Sequence, residues 1–160
     1  MSTFVKHTAF ALLVAMLATS CAGTRLHHDG MKLIESGNYE EGLEKLTEAT
    51  RKEPGNLDYR AQLKARHEEA VLKLLGDADR ARGAAKLDEA DLAYRRVLVI
   101  EPGNERARRG LDATAGDRRH AAMVAQAGNA LNASDYDKAE GMLRAIVAED
   151  PGFAPANAMQ

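Results

Sequence analysis

From residue 30 onward, apolar side chains recur at steps of three and four, the spacing of one face of an α-helix. Gly30, Leu33 and Ile34 form a first stripe, and Leu43, Leu46 and Ala49 form a second. Between them stands Ser36-Gly37-Asn38, which supplies a C-cap glycine and turn-forming side chains. Glu53-Pro54-Gly55-Asn56 then stops the second helix, because proline cannot continue it and biases Glu53 towards extended backbone. The same order returns with Val71, Leu74, Leu75, Ala78 and Ala81, then Ala90, Ala93, Tyr94, Val97 and Leu98, ending at Glu101-Pro102-Gly103-Asn104. A third round runs through Met123, Val124, Ala127, Ala130 and Leu131, then Ala139, Met142, Leu143, Ile146 and Val147, to Asp150-Pro151-Gly152.

Pro54, Pro102 and Pro151 are 48 and 49 residues apart, and Tyr39, Leu87 and Tyr136 keep the same offsets. Self-similarity of this kind marks a helical repeat array, in which no unit buries its stripe alone and stacked neighbours build a continuous core. The predicted fold is therefore all-α: antiparallel helix hairpins in a superhelix, three hairpins with a period of about 48 residues. The hairpins cover residues 30–56, 70–104 and 119–153 of a repeat region at 30–160. Residues 57–69 and 105–118 are surplus and also helical in pattern, with Leu57, Ala61 and Leu63 in one and Ala107, Leu111 and Ala113 in the other. Either each surplus lengthens the helix that follows, or it forms a third helix. The first is favoured, giving a helix from Leu57 to Arg82 with a potential break at Gly76, and one from Glu105 that bends near Gly116. A last helix is expected to start near Pro155, a favoured first-turn residue. With only Ala156 to Gln160 beyond it, the apolar side of the third hairpin is expected to stay open, belonging either to a longer protein or to a partner.

The hairpins resemble tetratricopeptide (TPR) units, and Asp135-Tyr136-Asp137-Lys138-Ala139 is close to that family's turn pattern. On this resemblance the small position of the first helix falls on Gly30, Ala78 and Ala127, and that of the second on Gly42, Ala90 and Ala139. Small residues there let two helix backbones approach. The larger packing residue falls on Leu46, Tyr94 and Leu143. A unit of the family has about 34 residues and this chain has about 14 more, which bears on curvature rather than on repeat class. Tyr39 and Tyr136 occupy the turn position where the family packs an aromatic, and are expected in the core. Tyr59 opens a surplus helix and is a candidate for contact with a partner.

The N-terminus adds a location. Lys6 precedes a nearly pure apolar run, Ala9 to Ala18, about half the roughly 20 residues of a spanning helix. Residues 1–20 read as a secretory signal peptide. The chain's one cysteine follows directly, in Leu17-Ala18-Thr19-Ser20-Cys21, which resembles the bacterial lipobox. That resemblance implies cleavage before Cys21 and its acylation, residues 21–29 then forming a short lipid-anchored linker. The pattern departs from the lipobox in placing Leu17 one position early, and an ordinary cleavage after Ala18-Thr19-Ser20 is the alternative. Ala22, where inner-membrane lipoproteins carry Asp, implies the outer membrane, facing the periplasm.

Composition narrows the chemistry. The 160 residues are 45% hydrophobic and 29% charged with a net charge of −2, which draws the chain towards neither nucleic acid nor anionic lipid. Aromatics make up only 4%, so packing is expected through Ala, Leu and Val. Ser36 and Ser134 sit at corresponding turns, where a turn role accounts for both. His67-Glu68-Glu69-Ala70-Val71 begins like a zinc-protease helix but has Val71 where the second histidine would stand. His27-His28-Asp29 places adjacent side chains on different helix faces, and His120 reads as part of a solvated face. Arg106, Arg108, Arg109, Arg118 and Arg119 suggest a basic patch, but acids interleave with them and a mixed, salt-bridged surface is the simpler reading. Arg106 and Arg109 remain candidates for an acidic partner segment. No catalytic residues, metal, cofactor or small-molecule substrate are expected.

The order of features resembles the N-terminal segment of some bacterial secretins of type II secretion and type IV pilus systems. The features are the lipobox, His28-Asp29-Gly30, Tyr-Glu-Glu-Gly-Leu at 39–43, Tyr59-Arg60, Pro-Gly-Asn-Glu-Arg-Ala at 102–107, and Gly110-Leu111. The resemblance implies a non-enzymatic protein–protein interaction scaffold, held at the outer membrane by lipidated Cys21 and joined to other envelope proteins. A free-standing pilotin-like lipoprotein has the same features, and an accessory to an envelope hydrolase is the rival from a different class.

Overall fold

The computed structural model describes residues 22–159, all of whose regular structure is helical. Residues 1–21, read from sequence as a signal peptide followed by Cys21, lie outside the described residues. Helix α1 covers residues 22–35, α2 Tyr39–Lys52, α3 Leu57–Gly83, α4 Leu87–Ile100, α5 Glu105–Asn132, α6 Tyr136–Glu149 and α7 Ala154–Asn157. The chain divides into two compact units. Among the described residues, one comprises 22–76 with Arg96–Gly103, the other Asp77–Arg95 with residues 104–159. Two of the three divisions fall inside a continuous helix, one in α3 and one in α4, and the third lies in the turn between α4 and α5.

Three turns of the same construction join α1 to α2, α3 to α4 and α5 to α6. Asn38 N–H donates to Leu33 O and Gly37 N–H to Ile34 O, the paired bonds that close a helix end around a left-handed residue. Lys86 to Ala81 with Ala85 to Arg82, and Asp135 to Ala130 with Ser134 to Leu131, repeat the pattern. The left-handed residue is Gly37 (φ 85°), Ala85 (φ 58°) and Ser134 (φ 61°) in turn. Only the first turn uses the residue that adopts this backbone without a Cβ penalty.

The Pro-Gly-Asn segments both stop one helix and start the next. Asn56 Oδ1 accepts from Tyr59 N–H at 3.2 Å and Asn104 Oδ1 from Ala107 N–H at 2.9 Å, each satisfying an amide that the first helical turn leaves free. Both surplus segments become the N-terminal parts of long helices, and α3 and α5 run unbroken through Gly76 and Gly116. Residues 22–29, read from sequence as part of a linker, are helical instead. The long N-terminal part of α3 gives them something to pack on. His27 stacks on Tyr59 with centroids 4.4 Å apart, and its Nε2 lies 2.9 Å from Gln62 Oε1.

In the first unit, the core joins Ile34, Leu43, Leu46 and Ala70, flanked by Met31, Tyr39, Leu63 and Ile100. Gly30 and Gly42 bring α1 and α2 together: a Cβ on Gly42 would lie 2.6 Å from Ile34 Cγ1 and 2.9 Å from the Gly30 carbonyl. In the second unit, Ala127, Ala130, Ala139, Leu143, Ile146 and Ala156 form a core flanked by Met123, Val124, Leu131 and Phe153. Here α7 changes the expectation of a fully open last hairpin. Ala156 is completely buried, and Phe153 and Met159 pack on the same cluster. His120, read as solvated, is buried for the same reason: the Phe153 ring meets it edge-on at 5.3 Å.

Replacing Ala85 or Ser134 with Gly removes a left-handed strain while keeping the turn. Each is expected to raise unfolding free energy by about 1 kcal/mol, whereas Gly37→Ala lowers it by a similar amount. Urea denaturation of the single variants checks this, and no gain from either glycine would mean that the turns relax on unfolding without strain to release.

Candidate functional site

The nine residues assigned to helix packing fall into three groups. Gly30, Gly42 and Leu46 meet in the first unit, where a Cβ on Gly30 would lie 3.1 Å from Leu46 Cδ2. Ala78, Ala90 and Tyr94 are buried in the second unit, as are Ala127, Ala139 and Leu143, which share one core cluster. Among the described residues there is no group of three His, Cys, Asp or Glu side chains placed to hold a metal ion, and no helix is long and apolar enough to cross a membrane.

Two of the three candidate contact residues are engaged within the chain. Tyr59 is half-buried against His27, with its hydroxyl 3.5 Å from Thr24 Oγ1. Arg106 donates to Asp79 Oδ2, while Arg109 is exposed. The remaining arginines of the suspected patch are also matched to acids: Arg108 to Glu105, Arg118 to Asp88 and Arg119 to Glu149. These are exposed pairs, which water and salt screen.

The first unit contains a clasp that sequence reading did not anticipate. Arg96 donates from Nε to Glu40 Oε1 at 2.6 Å and from its terminal nitrogen to Glu40 Oε2 and the Gly37 carbonyl, both at 2.8 Å. Its guanidinium carbon stands 5.6 Å from the centroid of the Tyr39 ring. The fork of donors matches a carboxylate, and its flat face suits an aromatic ring. Hydrogen bonding to Arg96 holds the Glu40 carboxyl below its ordinary range despite some desolvation. Beside the clasp, Leu43, Thr47, Leu63, His67, Val99 and Ile100 line a hollow of about 220 Å³.

In the second unit a network links core to surface. Tyr94 is 2% exposed, and its hydroxyl donates to Asp79 Oδ1 at 2.5 Å. Gly110 lies against the ring so closely that a Cβ there would overlap it. Burial, then the hydrogen bond to Asp79, pushes the Tyr94 phenol up to about 12. Asp79 is held below its ordinary range, first by Tyr94 and also by Arg106. A buried tyrosine needs an acceptor for its hydroxyl, and Asp79, next to the small Ala78, was the available signal.

The third helix pair presents a different surface. Leu131, Tyr136, Ala139, Glu140, Leu143, Arg144 and Met159 line a groove of about 520 Å³. Tyr136, expected in the core beside Tyr39, is 65% exposed. Tyr39 is covered because Arg96 lies over it, and no described residue does the same for Tyr136.

The Tyr94 phenol makes stability depend on alkaline pH. Its folded value is raised, so the contribution is fully present below about 10, the ordinary tyrosine value, and is lost as pH rises through about 12. Tyr94→Phe is expected to cost about 1–2 kcal/mol at neutral pH by removing a hydrogen bond to a charged acceptor. It should also flatten the decline in thermal stability above pH 10. An unchanged alkaline decline in the variant would assign that decline to other groups.

No protein-family model matches this chain, and neither the curated proteins nor the solved structures compared with it give a match.

Proposed function

We propose that the chain is a non-enzymatic protein–protein interaction scaffold, a TPR-like array of helix hairpins that presents surfaces to other envelope proteins. The observation that carries this reading is the threefold recurrence of one device. The same paired capping bonds close the turns at Gly37, Ala85 and Ser134, and the small residues assigned to each hairpin are buried. Such repetition is the construction of binding solenoids, whose surfaces are built from equivalent hairpins. Exposed apolar side chains, Leu57, Leu72 and Val99 in the first unit and Leu92 and Tyr136 in the second, supply contact area.

In this proposal the leader is removed and Cys21 is acylated, holding the array at the periplasmic face of the outer membrane. Several acyl chains on one residue hold firmly where a single chain binds weakly and reversibly. The partners are proteins of a secretion or pilus system, the chain acting in assembly of a secretin; neither nucleic acid nor a small-molecule substrate takes part. The resemblance of the lipobox and the ordered repeat motifs supports this narrower reading.

Intact mass of the mature protein from its own envelope is expected to show acyl chains on Cys21. Their absence removes the anchor. Photo-crosslinking residues placed singly at Leu72, Leu92 and Tyr136 are expected to give discrete adducts with envelope proteins. If none of these positions captures a protein in the native envelope, the scaffold reading fails. A mature product much longer than the present chain favours the secretin segment, and one ending at Gln160 favours a free-standing lipoprotein.

A further inference from the structure

The groove of the third helix pair has an internal precedent. Aligned by the repeat, Leu131, Tyr136, Ala139, Glu140, Leu143 and Arg144 stand where Ile34, Tyr39, Gly42, Leu43, Leu46 and Thr47 stand in the first pair. In the first unit that face is occupied. Leu63 and Ala70 of α3 and Ile100 of α4 pack on it, and Arg96 of α4 closes over Tyr39, Glu40 and the Gly37 carbonyl. The matching groups of the third pair are Tyr136, Asp137 and the Ser134 carbonyl, and all three residues are exposed. Asp137 has no hydrogen-bonding or charged partner among the described residues, whereas its neighbour Glu140 is held by Arg144 at 2.5 Å.

We propose that this groove docks an amphipathic helix of a partner protein, one that sets an arginine on Tyr136 and Asp137 with aliphatic residues three and four positions further on. The chemistry is that of Arg96 followed by Val99 and Ile100. The arginine gains a carboxylate, a carbonyl and an aromatic face together, and the aliphatic residues bury Leu131, Leu143 and Met159. This deepens the scaffold reading and rests on it, naming the kind of partner that one of its surfaces takes.

A second copy of the chain is the weaker occupant on charge. If a copy stacked its own first pair on the groove as the second repeat stacks on the first, the counterparts of Arg96 and Ile100 would be Glu48 and Lys52. Glu48 would then face Asp137, and like charges brought together oppose association.

The test uses the mature chain and a synthetic peptide of residues 87–103, held helical by a lactam between Asp91 and an Arg95→Lys substitution. Those two positions already pair on the exposed side of α4. Titration followed by backbone amide shifts is expected to move Tyr136 and Asp137 saturably. Asp137→Arg, an exposed site whose variant should fold, is expected to weaken binding by about tenfold or more. A peptide carrying Arg96→Glu should recover affinity for that variant, a charge exchange that misfolding cannot imitate. No response at Tyr136 up to about 1 mM peptide, a response at Tyr39 instead, or binding indifferent to Asp137→Arg overturns the proposal. Self-association of the free chain that Asp137→Arg abolishes would assign the groove to a second copy and overturn it equally. Envelope crosslinks at Leu72 or Leu92 that persist in Asp137→Arg, with no peptide response, would leave the scaffold standing and remove only this helix site.

Discussion

The fold depends on how closely two helices can lie when only three residues turn one into the other. At Gly30 and Gly42 that distance is set by the absence of side chains, since a Cβ on either would sit 2.9 Å from the other's carbonyl oxygen. Both constraints act on the same few residues. The turn demands a left-handed residue at Gly37, and the approach demands small residues on either side of it. Once the pair is closed, Ile34, Leu43 and Leu46 share one face, and the hydrophobic gain comes from covering it with α3 and the end of α4. The second turn pays for its geometry with an alanine and the third with a serine, so the same construction is held with some strain at those places.

The long helices follow from a different economy. An N-terminal segment with few apolar residues, such as Leu57 to Glu69, has little core of its own to enter, but it continues a helix already nucleated by packing further along. Pairs such as Lys64 with Glu68 and Arg66 with Glu69 support it on its exposed side. Its presence in turn orders residues 22–29. His27 finds Tyr59 and Gln62 there, and a stretch that looks like a tether becomes the first two turns of α1.

The helices themselves were legible because their ends are chemically marked. Proline after the second helix of each pair, asparagine before the long helices and the turn residues at 36–38 are local signals whose meaning needs no partner. Leu46, Tyr94 and Leu143 are buried, and each stands in an apolar stripe of helical spacing. The clasp was not legible, since 56 residues separate Arg96 from Glu40 and neither is unusual in its own helix. His120 was misread because its burial comes from Phe153, a residue on the far side of the last proline that replaces the expected asparagine. Tyr136 was misread for the converse reason. Equivalence to Tyr39 in sequence says where the ring stands, but its burial depends on whether an arginine from elsewhere lies over it.

That contrast bears on the docking proposed for the third pair. Leu43, 7% exposed beneath its cover, has Glu140 as its counterpart, and Glu140 is tied to Arg144 on the surface of α6. A face meant for permanent burial would retain the leucine, since an ion pair taken out of water costs more than it returns unless its geometry is excellent. A face meant to stand in water part of the time is better served by this pair, which stays solvated when the groove is empty and lies at its rim. The apolar floor of Leu131, Ala139 and Leu143 is nevertheless kept, with Tyr136 beside it. In the docking proposed above, this groove keeps an apolar floor with a smaller driving force for closing than the covered face of the first pair, which suits a partner able to leave.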